Sequence, residues 1–544
     1  MTTTTAKEHD SDVLISGGGP VGQVLALLLT QRGLRVSVVE RWAAPYPLPR
    51  AVLMSHDVLR VLWQLDLGDE LTPMLQSWGQ EGQLFCLEDG AGRILTQSRF
   101  SPESESGFAS ASSFSQPELE QVLERRVQAD PLITQYRGYS LEELSDDGAG
   151  VTATIRPHTG FAPVPGGEPR TLTAAYAVGC DGANSTVRSL LGLPMIDLDF
   201  NRDWLVVDVM PHVPTTWLPY ACQRLAPGRS TTLVPAGPGR RRWEFMILPT
   251  DDQDKVDTEE NAWRLLEPWQ IHPGNAEMVR HARYTFRGRW ATEWNRGRVV
   301  LAGDAAHQMP PFQGQGFNSG VRDAANLAWR LALLVAGAGA DSLLDDYTAE
   351  RCVQVAGIIE LTVGIGRMFC MTDPDECALR DVELAKLAGL DIPDPSTTLL
   401  LRGGSLRDDE IGGKLGLQAN VGTSTRTALL DEIVPPPGFV LLGRDGDPLG
   451  RLSTSTRAFW QRLGGRSAHF GPGGLTDADG KYAAWFDRLN ASVVVIRPDF
   501  QVFGGVLDPD DTDVLVDDLA TRVLADGPPH TAGSQPPEKA GVAD

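Results

Sequence analysis

A glycine-rich sequence near the N-terminus has the spacing of a dinucleotide site. Gly17, Gly19 and Gly22 form the pattern G-x-G-x-x-G, and Glu40 follows 18 residues after the last glycine. In this pattern the first glycine permits a tight turn, the second lets the backbone approach a pyrophosphate, and the third lets a helix pack closely on a strand. The helix N-terminus faces the phosphate charge, and the glutamate accepts hydrogen bonds from a ribose. The motif predicts a dinucleotide but does not separate NAD from FAD.

Two later segments place an aspartate where a predicted strand ends. Asp181 begins the sequence Asp-Gly-Ala-Asn-Ser-Thr-Val-Arg, and Asp304 lies in Leu-Ala-Gly-Asp-Ala-Ala-His. A short carboxylate on a strand-to-helix turn suits a diol, although an aspartate that only caps the helix is the alternative. The sequence from Pro310 to Asn318 is rich in Pro and Gly and leads into a predicted helix. Its N–H groups and the helix dipole could stabilise negative charge on a ligand.

Taken in order, the three segments resemble the FAD fingerprints of the flavoprotein aromatic hydroxylases, the group similar to para-hydroxybenzoate hydroxylase. The resemblance covers nearly the whole chain. It is closest to the 3-(3-hydroxyphenyl)propionate hydroxylases and related polyketide or phenol hydroxylases, through Trp204-Leu-Val-Val-Asp and the stretch from Asp304 to Trp329. It implies FAD as the cofactor, NADH or NADPH as the electron donor, and O2 as a co-substrate.

The resemblance also implies which residues bind FAD. Asp304 would bind a ribityl hydroxyl, and the backbone near Pro311 would lie beside the reactive C4a edge of the flavin. Arg50 would meet a phosphate and Gln116 would lie near the cofactor, with an ordinary exposed arginine and a helix-capping glutamine as the alternatives. The full predicted set is Gly17, Gly19, Pro20, Gly22, Glu40, Arg41, Arg50, Gln116, Asp181, Gly303, Asp304, Pro311, Gly314, Gly316, Phe317 and Asn318.

The implied reaction is hydroxylation of a small phenolic substrate through a flavin C4a-hydroperoxide. Baeyer-Villiger oxygenation or epoxidation of a polycyclic aromatic polyketide is the alternative, and a flavin reductase or halogenase is a more distant one. The base that would form the phenolate is not identified. His307 is expected to hold the flavin loop, and His56 has the ordinary alternative of beginning a helix, so neither is assigned as catalytic.

The elements that must position these residues predict an α/β fold. Asp12–Ser16, Pro20–Arg32 and Arg35–Glu40 have the patterns of a strand, a helix and a strand. Segments rich in β-branched and aromatic residues, near 82–99 and 204–249, predict an inserted sheet that could cover a substrate. Apolar residues at helical spacing predict a long buried helix from Asn318 to Val335.

The expected organisation is a Rossmann-like FAD-binding domain with two further units. The FAD-binding domain would comprise 11–81, 105–200 and 285–390, and the substrate-binding β-sheet 82–104 and 201–284. By resemblance, 400–526 would form a thioredoxin-like domain, but without a C-x-x-C pair there disulfide exchange is not expected. Residues 391–395 have the composition of a linker, and 1–10 and 527–544 are predicted to be disordered tails.

Composition and charge disfavour several other classes. With 48 Lys+Arg against 71 Asp+Glu the net charge is −23, which repels nucleic acid and anionic membranes. The six cysteines show no C-x-x-C or metal-finger spacing, so we expect reduced thiols and no metal site. The Thr-rich and then acidic N-terminus does not have the pattern of a signal peptide, so export is not expected. The small, apolar stretch near Leu331 to Ala340 is shorter than the roughly 20 residues of a membrane span, so no span is expected there. A soluble cytoplasmic enzyme is expected, with homo-oligomerisation left open.

Overall fold

The computed structural model describes residues 9–45, 50–80, 83–217, 220–390 and 400–524. The predicted linker at 391–395 and nearly all of the two predicted tails lie outside these residues. The division of the chain into domains also stays a prediction.

The N-terminal β-α-β unit lies at the centre of the first sheet. Strands Ser11–Ser16 and Val36–Glu40 pair in parallel, and helix Pro20–Thr30 connects them. Pro20 stands in the first turn of the helix, where its missing N–H costs no hydrogen bond. Every residue from Gly22 to Thr30 is buried. The predicted unit is therefore confirmed, with a helix two residues shorter than expected.

The first sheet is parallel through its centre and carries the turns that the sequence singles out. Strand Arg170–Gly179 pairs in parallel with Ser11–Ser16 on one side and with Val299–Leu301 on the other. The glycine-rich turn, Asp181 and Asp304 consequently all emerge at the carboxyl ends of neighbouring parallel strands, where α/β sheets bind ligands. Across the sheet the order is Asn295–Arg296, Val299–Leu301, Arg170–Gly179, Ser11–Ser16, Val36–Glu40 and Ile133–Arg137, with Val151–Pro157 and Tyr139–Asp146 branching from the third.

The second sheet is largely antiparallel and corresponds to the predicted insertion. Its two longest strands, Met195–Pro211 and Ala276–Ala291, pair along almost their whole length. All residues from Trp204 to Val209 are buried, because helix Glu259–Leu266 and its neighbours cover one face and the rest of the protein covers the other. The strand order is His307–Gln308, Ala276–Ala291, Met195–Pro211, Arg241–Met246, Thr231–Pro235, Ala221–Leu225, Leu84–Asp89 and Ile94–Arg99.

Two long helices follow the third fingerprint. The first, Gln315–Val335, begins three residues before the predicted start. The second, Leu343–Phe369, was not predicted from the sequence, and it is long and apolar enough by length and composition to cross a membrane. A buried core helix meets the same criteria, and this one carries the fully buried charges Glu350 and Arg351. Glu350 is paired with Arg330 and Arg497, and Arg351 with Asp323.

The C-terminal region contains a four-stranded mixed sheet. Its order is Arg466–His469, Val440–Gly443, Val493–Ile496 and Val502–Val506, and only the third strand runs against the others. The sequence predicts strands at Gly438–Leu442, Ala491–Ile496 and Phe500–Val506, and each of these strands is confirmed but begins two residues later in the structure. The sequence also predicts that Asp508, Asp510 and Asp511 precede a helix and complement its positive N-terminal end. In the structure Asp508 accepts a hydrogen bond from the Asp510 N–H just before helix Thr512–Val523. The thioredoxin-like assignment itself stays a prediction.

The remaining elements complete the layers. Small sheets are formed by Leu53–Ser55, Ala111–Ser113 and Gln76–Ser77, and by Thr427–Leu429, Asn420–Gly422 and Thr476–Asp477. Further helices span His56–Trp63, Gly68–Leu71, Gln116–Ala129, Thr186–Leu191, Pro374–Ala385, Leu430–Ile433, Thr454–Arg462 and Lys481–Leu489.

Candidate active site

A cavity of about 860 Å³ lies between the turns of the first sheet and one face of the second sheet. We call its two walls the turn side and the sheet side. The turn side contains ten of the predicted residues, namely Gly19, Pro20, Arg50, Gln116, Gly303, Asp304, Pro311, Gly314, Gly316 and Phe317. The sheet side contains Val206, Thr232, Val234, Arg242, Glu244, Arg280, Tyr284 and Phe286. The other six predicted residues, Gly17, Gly22, Glu40, Arg41, Asp181 and Asn318, do not line the cavity.

The three glycines of the first motif meet three different surroundings. Gly17 has φ +112°, and a Cβ there would lie 2.2 Å from the Cys180 carbonyl oxygen. A Cβ on Gly22 would lie 2.0 Å from the Gly17 carbonyl oxygen, so this glycine lets the helix pack on the turn. A Cβ on Gly19 would meet no atom within 4 Å. Gly19 therefore faces open space at the helix N-terminus, where a pyrophosphate could approach.

Glu40 supports the glycine turn from the end of its strand. Its Oε2 accepts a hydrogen bond from the Gly18 N–H at 2.7 Å, and its Oε1 accepts one from the Trp42 N–H at 2.8 Å. Arg41, next in sequence, is exposed. The expected contact between Glu40 and a ribose stays a prediction.

Asp181 acts as a helix cap. Its carboxylate accepts hydrogen bonds from the Thr186 N–H at 2.8 Å, from the Val187 N–H at 3.1 Å and from the Ser185 hydroxyl. The alternative weighed for this position, an aspartate at a helix N-terminus, thus describes its contacts in the structure. Arg188 in the same helix donates to the carbonyl oxygens of Ala183 and Ala305, at 3.0 and 2.7 Å, and so joins the second fingerprint to the third.

Asp304 stands on the turn side with its carboxyl group accessible from the cavity. Burial of the carboxyl group among the surrounding protein atoms raises the pKa of Asp304 above the usual aspartate value, against the opposing effects of His307 and Arg50. A carboxylate in this position suits the hydroxyl groups of a ligand, because it accepts hydrogen bonds from them on the open side of the turn.

His307 stabilises the loop that carries Asp304. Its ring is fully buried, and Nε2 lies 2.7 Å from Asp323 Oδ2, so that its N–H donates to the carboxylate. The same oxygen accepts the Gly303 N–H at 2.9 Å, while Oδ1 accepts from Arg351 Nε at 2.8 Å. Burial favours the neutral acid, but Arg351 and His307 hold the pKa of Asp323 below its usual value. These contacts agree with the expectation that His307 holds the loop.

The Pro/Gly segment forms a short 3-10 turn, Pro311–Gln313, that lines the cavity just before the next helix. Gly314 then has φ +65°, a left-handed conformation that favours glycine, and the helix begins at Gln315. Asn318 is buried in the first turn, where its side chain accepts from the Ser55 N–H at 3.0 Å and donates to the Gly314 carbonyl at 2.7 Å. Its side chain therefore shapes the turn.

Gln116 and Arg50 connect neighbouring segments of the turn side. The Gln116 side chain accepts from the Ala51 N–H at 2.7 Å and donates to Glu120 at 2.6 Å, although it also lines the cavity. The Arg50 carbonyl accepts a hydrogen bond from Arg242 Nη1 at 2.5 Å. Arg242 belongs to the second sheet, so this bond joins the two walls of the cavity.

The sheet side holds charged residues that sequence reasoning missed. Arg242 makes two hydrogen bonds to Asp208, at 2.7 and 2.9 Å, with both residues buried. Arg280 Nη2 donates to the Tyr284 hydroxyl at 2.6 Å. Glu244 lies two residues beyond Arg242, and burial raises its pKa to about 7. The only available signal was the placement of polar residues at alternate positions of predicted strands.

His56, the second histidine considered, lies away from this cavity. Its Nδ1 is 3.0 Å from the Ser106 hydroxyl, and it lines a different cavity of about 580 Å³. The structure therefore removes it from the candidates for a base at the flavin.

The turn side fits an FAD. The open space at Gly19 admits a pyrophosphate, and the accessible carboxyl group of Asp304 can meet a polyol. Gly316 and Phe317, in the first turn of the helix that begins at Gln315, line the same cavity. Within the described residues no cluster of His, Cys, Asp or Glu suits a metal ion.

Comparison with known proteins agrees with this geometry. A family described as an FAD binding domain matches residues 10–362, and one described as the HcaD C-terminal domain matches residues 413–522. The chain is 33% identical to a probable NADH-specific resorcinol 4-hydroxylase of Rhodococcus jostii (strain RHA1), over 94% of this chain and 95% of the relative. It is 30% identical to a 3-(3-hydroxy-phenyl)propionate/3-hydroxycinnamic acid hydroxylase of Mycobacterium avium (strain 104), over 97% and 96%.

Among solved structures, the fold is similar to that of the flavin-dependent monooxygenase PieE, described in complex with FAD and substrate. The TM-score is 0.76 at 22% identity, covering 94% of this chain and 99% of the other. This likeness shows the fold, whereas the family match and the two relatives show the family. The chain belongs to the FAD-binding-domain family of flavoprotein aromatic hydroxylases.

Proposed function

We propose that this enzyme hydroxylates a small phenol of the resorcinol or 3-(3-hydroxyphenyl)propionate type, with NADH as the preferred electron donor. The names of the two relatives support the substrate class, and the first supports NADH. Baeyer-Villiger oxygenation or epoxidation of a polycyclic polyketide is less well supported, because these relatives, which match almost the whole chain, are both named as hydroxylases of small phenols.

One observation carries the proposal: a single cavity has a flavin-type turn side opposite a sheet side with buried polar groups. FAD, when bound, supplies the electron transfer and the oxygen chemistry of the reaction. The protein has to bind and orient the phenol, exclude water and control the phenolic proton. Arg280 is suited to the phenolate, since it is buried and its Nε has no hydrogen-bond partner among the described residues.

Aromatic side chains would keep water away from the reacting edge of the ring. Phe312 follows Pro311 and has four aromatic neighbours, at ring-centroid distances between 5.3 and 6.3 Å. These neighbours are Phe200, Trp204, Phe286 and Phe369. Such a cluster gives the cavity an apolar wall next to the backbone that we propose lies beside the flavin.

For the cofactor, we propose that Gly19, Pro20 and Arg50 bind the phosphates and Asp304 a ribityl hydroxyl. The backbone from Pro311 to Phe317 would face the flavin ring. Gly17, Gly22 and Asn318 would act by shaping these turns, and Gln116 by holding Ala51. Glu40, Arg41 and Asp181 remain proposed members of the site, although they do not line the cavity.

We further propose that the enzyme works in the reducing cytoplasm. The six cysteines are free, which suits that compartment. Binding of nucleic acid or of an anionic membrane surface is not proposed, because the net charge of −23 opposes both.

The proposal is tested with purified holoenzyme, NADH or NADPH, and a panel containing resorcinol, 3-(3-hydroxyphenyl)propionate and benzoate as a non-phenolic control. We expect phenols to stimulate NADH oxidation and to yield products with one added oxygen on the ring, identified by mass and NMR. Stimulation by no phenol in the panel, or a ring-expanded lactone or epoxide as product, would contradict it.

A further inference from the structure

We propose that Glu244 is the base that removes the proton from the phenolic hydroxyl. This inference rests on the proposed function, since it needs a phenol in the cavity. Three observations support the assignment. The carboxyl group lies at the cavity, it has no hydrogen-bond partner among the described residues, and the other candidate bases are bound elsewhere or protonated.

Glu244 lies in the middle of the sheet side. Its strand, Arg241–Met246, pairs with Met195–Pro211 and Thr231–Pro235, and the register places Val206 and Thr232 beside it. Glu244, Val206 and Thr232 all line the cavity. Tyr284 and Arg280, on the next strand but one, line the same wall. The Glu244 side chain therefore points at the space opposite the flavin-type turns.

The carboxylate of Glu244 is available for a ligand. Among the described residues no donor lies within hydrogen-bond distance of it, and its ion-pair contact is Arg242 Nη1, 3.8 Å from Oε1. Arg242 is already bound by both oxygens of Asp208. Glu244 thus faces the cavity as a buried acid without a close donor, which is unusual unless a ligand supplies one.

Burial, opposed in part by nearby arginines, brings the pKa of Glu244 close to neutral pH. Burial raises the pKa of Glu244 to about 7, Asp208 adds to the rise, and Arg242 and Arg280 act against it. The Tyr284 hydroxyl and the Thr232 hydroxyl are the other polar groups that the neighbouring strands bring to this part of the wall. A base whose pKa is close to the working pH is efficient in general acid–base catalysis.

The other titratable groups considered are unsuitable as the base. Among the described lining residues the only carboxyl groups are Asp304 and Glu244, and Asp304 belongs to the turn side. Burial raises the pKa of the Cys180 thiol far above its usual value, so the thiol stays protonated near neutral pH and cannot accept the phenolic proton. His307 is held by Asp323, and His56 lies at another cavity.

The proposed step transfers one proton. The phenolic O–H bond breaks, its electron pair stays on the oxygen as phenolate, and the proton forms a new O–H bond on Glu244. The negative charge then faces Arg280, and Tyr284 holds that guanidinium by its hydrogen bond. The proton returns to the phenolate oxygen when the hydroxylated product leaves as a neutral phenol, which restores the carboxylate.

The test compares wild type, Glu244→Gln and Glu244→Asp as holoenzymes with equal FAD content. Glu88→Gln is the matched control, because Glu88 is a buried glutamate of the same sheet that pairs with Arg224 and does not line the cavity. The rate of oxygen transfer per bound flavin is measured across the pH range around about 7, with a weakly acidic phenol and with a fluorinated phenol that is already ionised in solution.

We expect the wild-type rate to fall as the pH drops below about 7, because protonated Glu244 cannot act as a base. Glu244→Gln should lose about 100-fold or more with the weakly acidic phenol and lose this acid limb, with little change in KM. The ionised phenol should restore much of the rate. Glu244→Asp should keep the acid limb at a reduced rate, and Glu88→Gln should behave as wild type.

Three results would overturn the assignment: a wild-type rate without an acid limb near neutral pH, an unchanged rate and limb in Glu244→Gln, or an equal deficit with both phenols. Each leaves phenol hydroxylation by the wild type intact. If the wild type hydroxylates no phenol, the proposed function is wrong, and the assignment of Glu244 is then wrong as well.

Discussion

Replacing single glycines of the first motif should separate folding from FAD binding. The perturbations are Gly22→Ala and Gly19→Ala, which add the same methyl group three residues apart. A Cβ at Gly22 would lie 2.0 Å from the Gly17 carbonyl oxygen and 3.3 Å from Ile15 Cγ2, whereas a Cβ at Gly19 would meet no protein atom within 4 Å. Gly19 has φ −74°, which alanine adopts without strain.

The expected magnitudes follow from these distances. Carbon atoms in contact lie about 3.5 to 4.0 Å apart, so Gly22→Ala forces the helix and the turn to separate by more than about 1 Å. Overpacking of this kind costs about 1–3 kcal/mol of unfolding free energy. Gly19→Ala should leave the free energy of unfolding of the apoprotein nearly unchanged. Its methyl group occupies the space that a pyrophosphate needs, so we expect FAD affinity to fall at least about tenfold, or about 1.4 kcal/mol.

Urea unfolding of the two apoproteins and titration with FAD, followed by flavin fluorescence, measure both quantities. The expected pattern is a stable Gly19→Ala that binds FAD weakly and a destabilised Gly22→Ala. Wild-type affinity in Gly19→Ala would refute the position of the pyrophosphate at this turn. Wild-type stability in Gly22→Ala would refute the packing argument.

Three further changes test other parts of the structure. Asp304→Ala should lower the FAD-to-protein ratio after purification, read from flavin absorbance, and an unchanged ratio would contradict its role. Glu350→Gln should cost about 3–5 kcal/mol of unfolding free energy, measured in urea at neutral pH, because it leaves buried Arg330 and Arg497 short of a carboxylate. The pKa of Glu244 is raised from 4.5 to about 7, so wild type loses stability as the pH rises from 4 to 9, whereas Glu244→Gln does not. The free energy of unfolding of the variant relative to wild type should therefore rise by up to about 3 kcal/mol over that range. Equal pH dependence of the two proteins in urea would contradict this.

The turn side could be predicted from the sequence because its residues act mainly through the backbone. Gly17, Gly19 and Gly22 are close in the chain, and the space that each one needs follows from its place in a strand-to-helix turn. The same holds for Gly314, whose left-handed conformation precedes the long helix. Local geometry decides these positions, so local sequence is sufficient to find them.

The role of Asp181, in contrast, could not be predicted from local sequence. An aspartate after a strand and before a helix serves equally well as a ligand for a cofactor or as a cap for the helix, and the two uses require the same local sequence. In the structure its oxygens are occupied by Ser185, Thr186 and Val187. The distinction depends on which way the carboxylate turns, and the motif does not contain that information. Asp323 is the reverse case, a helix residue without a motif that holds both His307 and Gly303.

The sheet side could not be predicted, because a sheet brings together residues that are far apart in the sequence. Arg242 and Asp208 are 34 residues apart and come from different strands, and the strand register alone makes them neighbours. The same register places Arg280 opposite Asp208. Each residue looks ordinary in its own strand, where alternate positions simply face one side. A group such as Glu244 acquires its raised pKa from burial between strands distant in sequence, so the chemistry of the substrate wall appears only when the sheet is assembled.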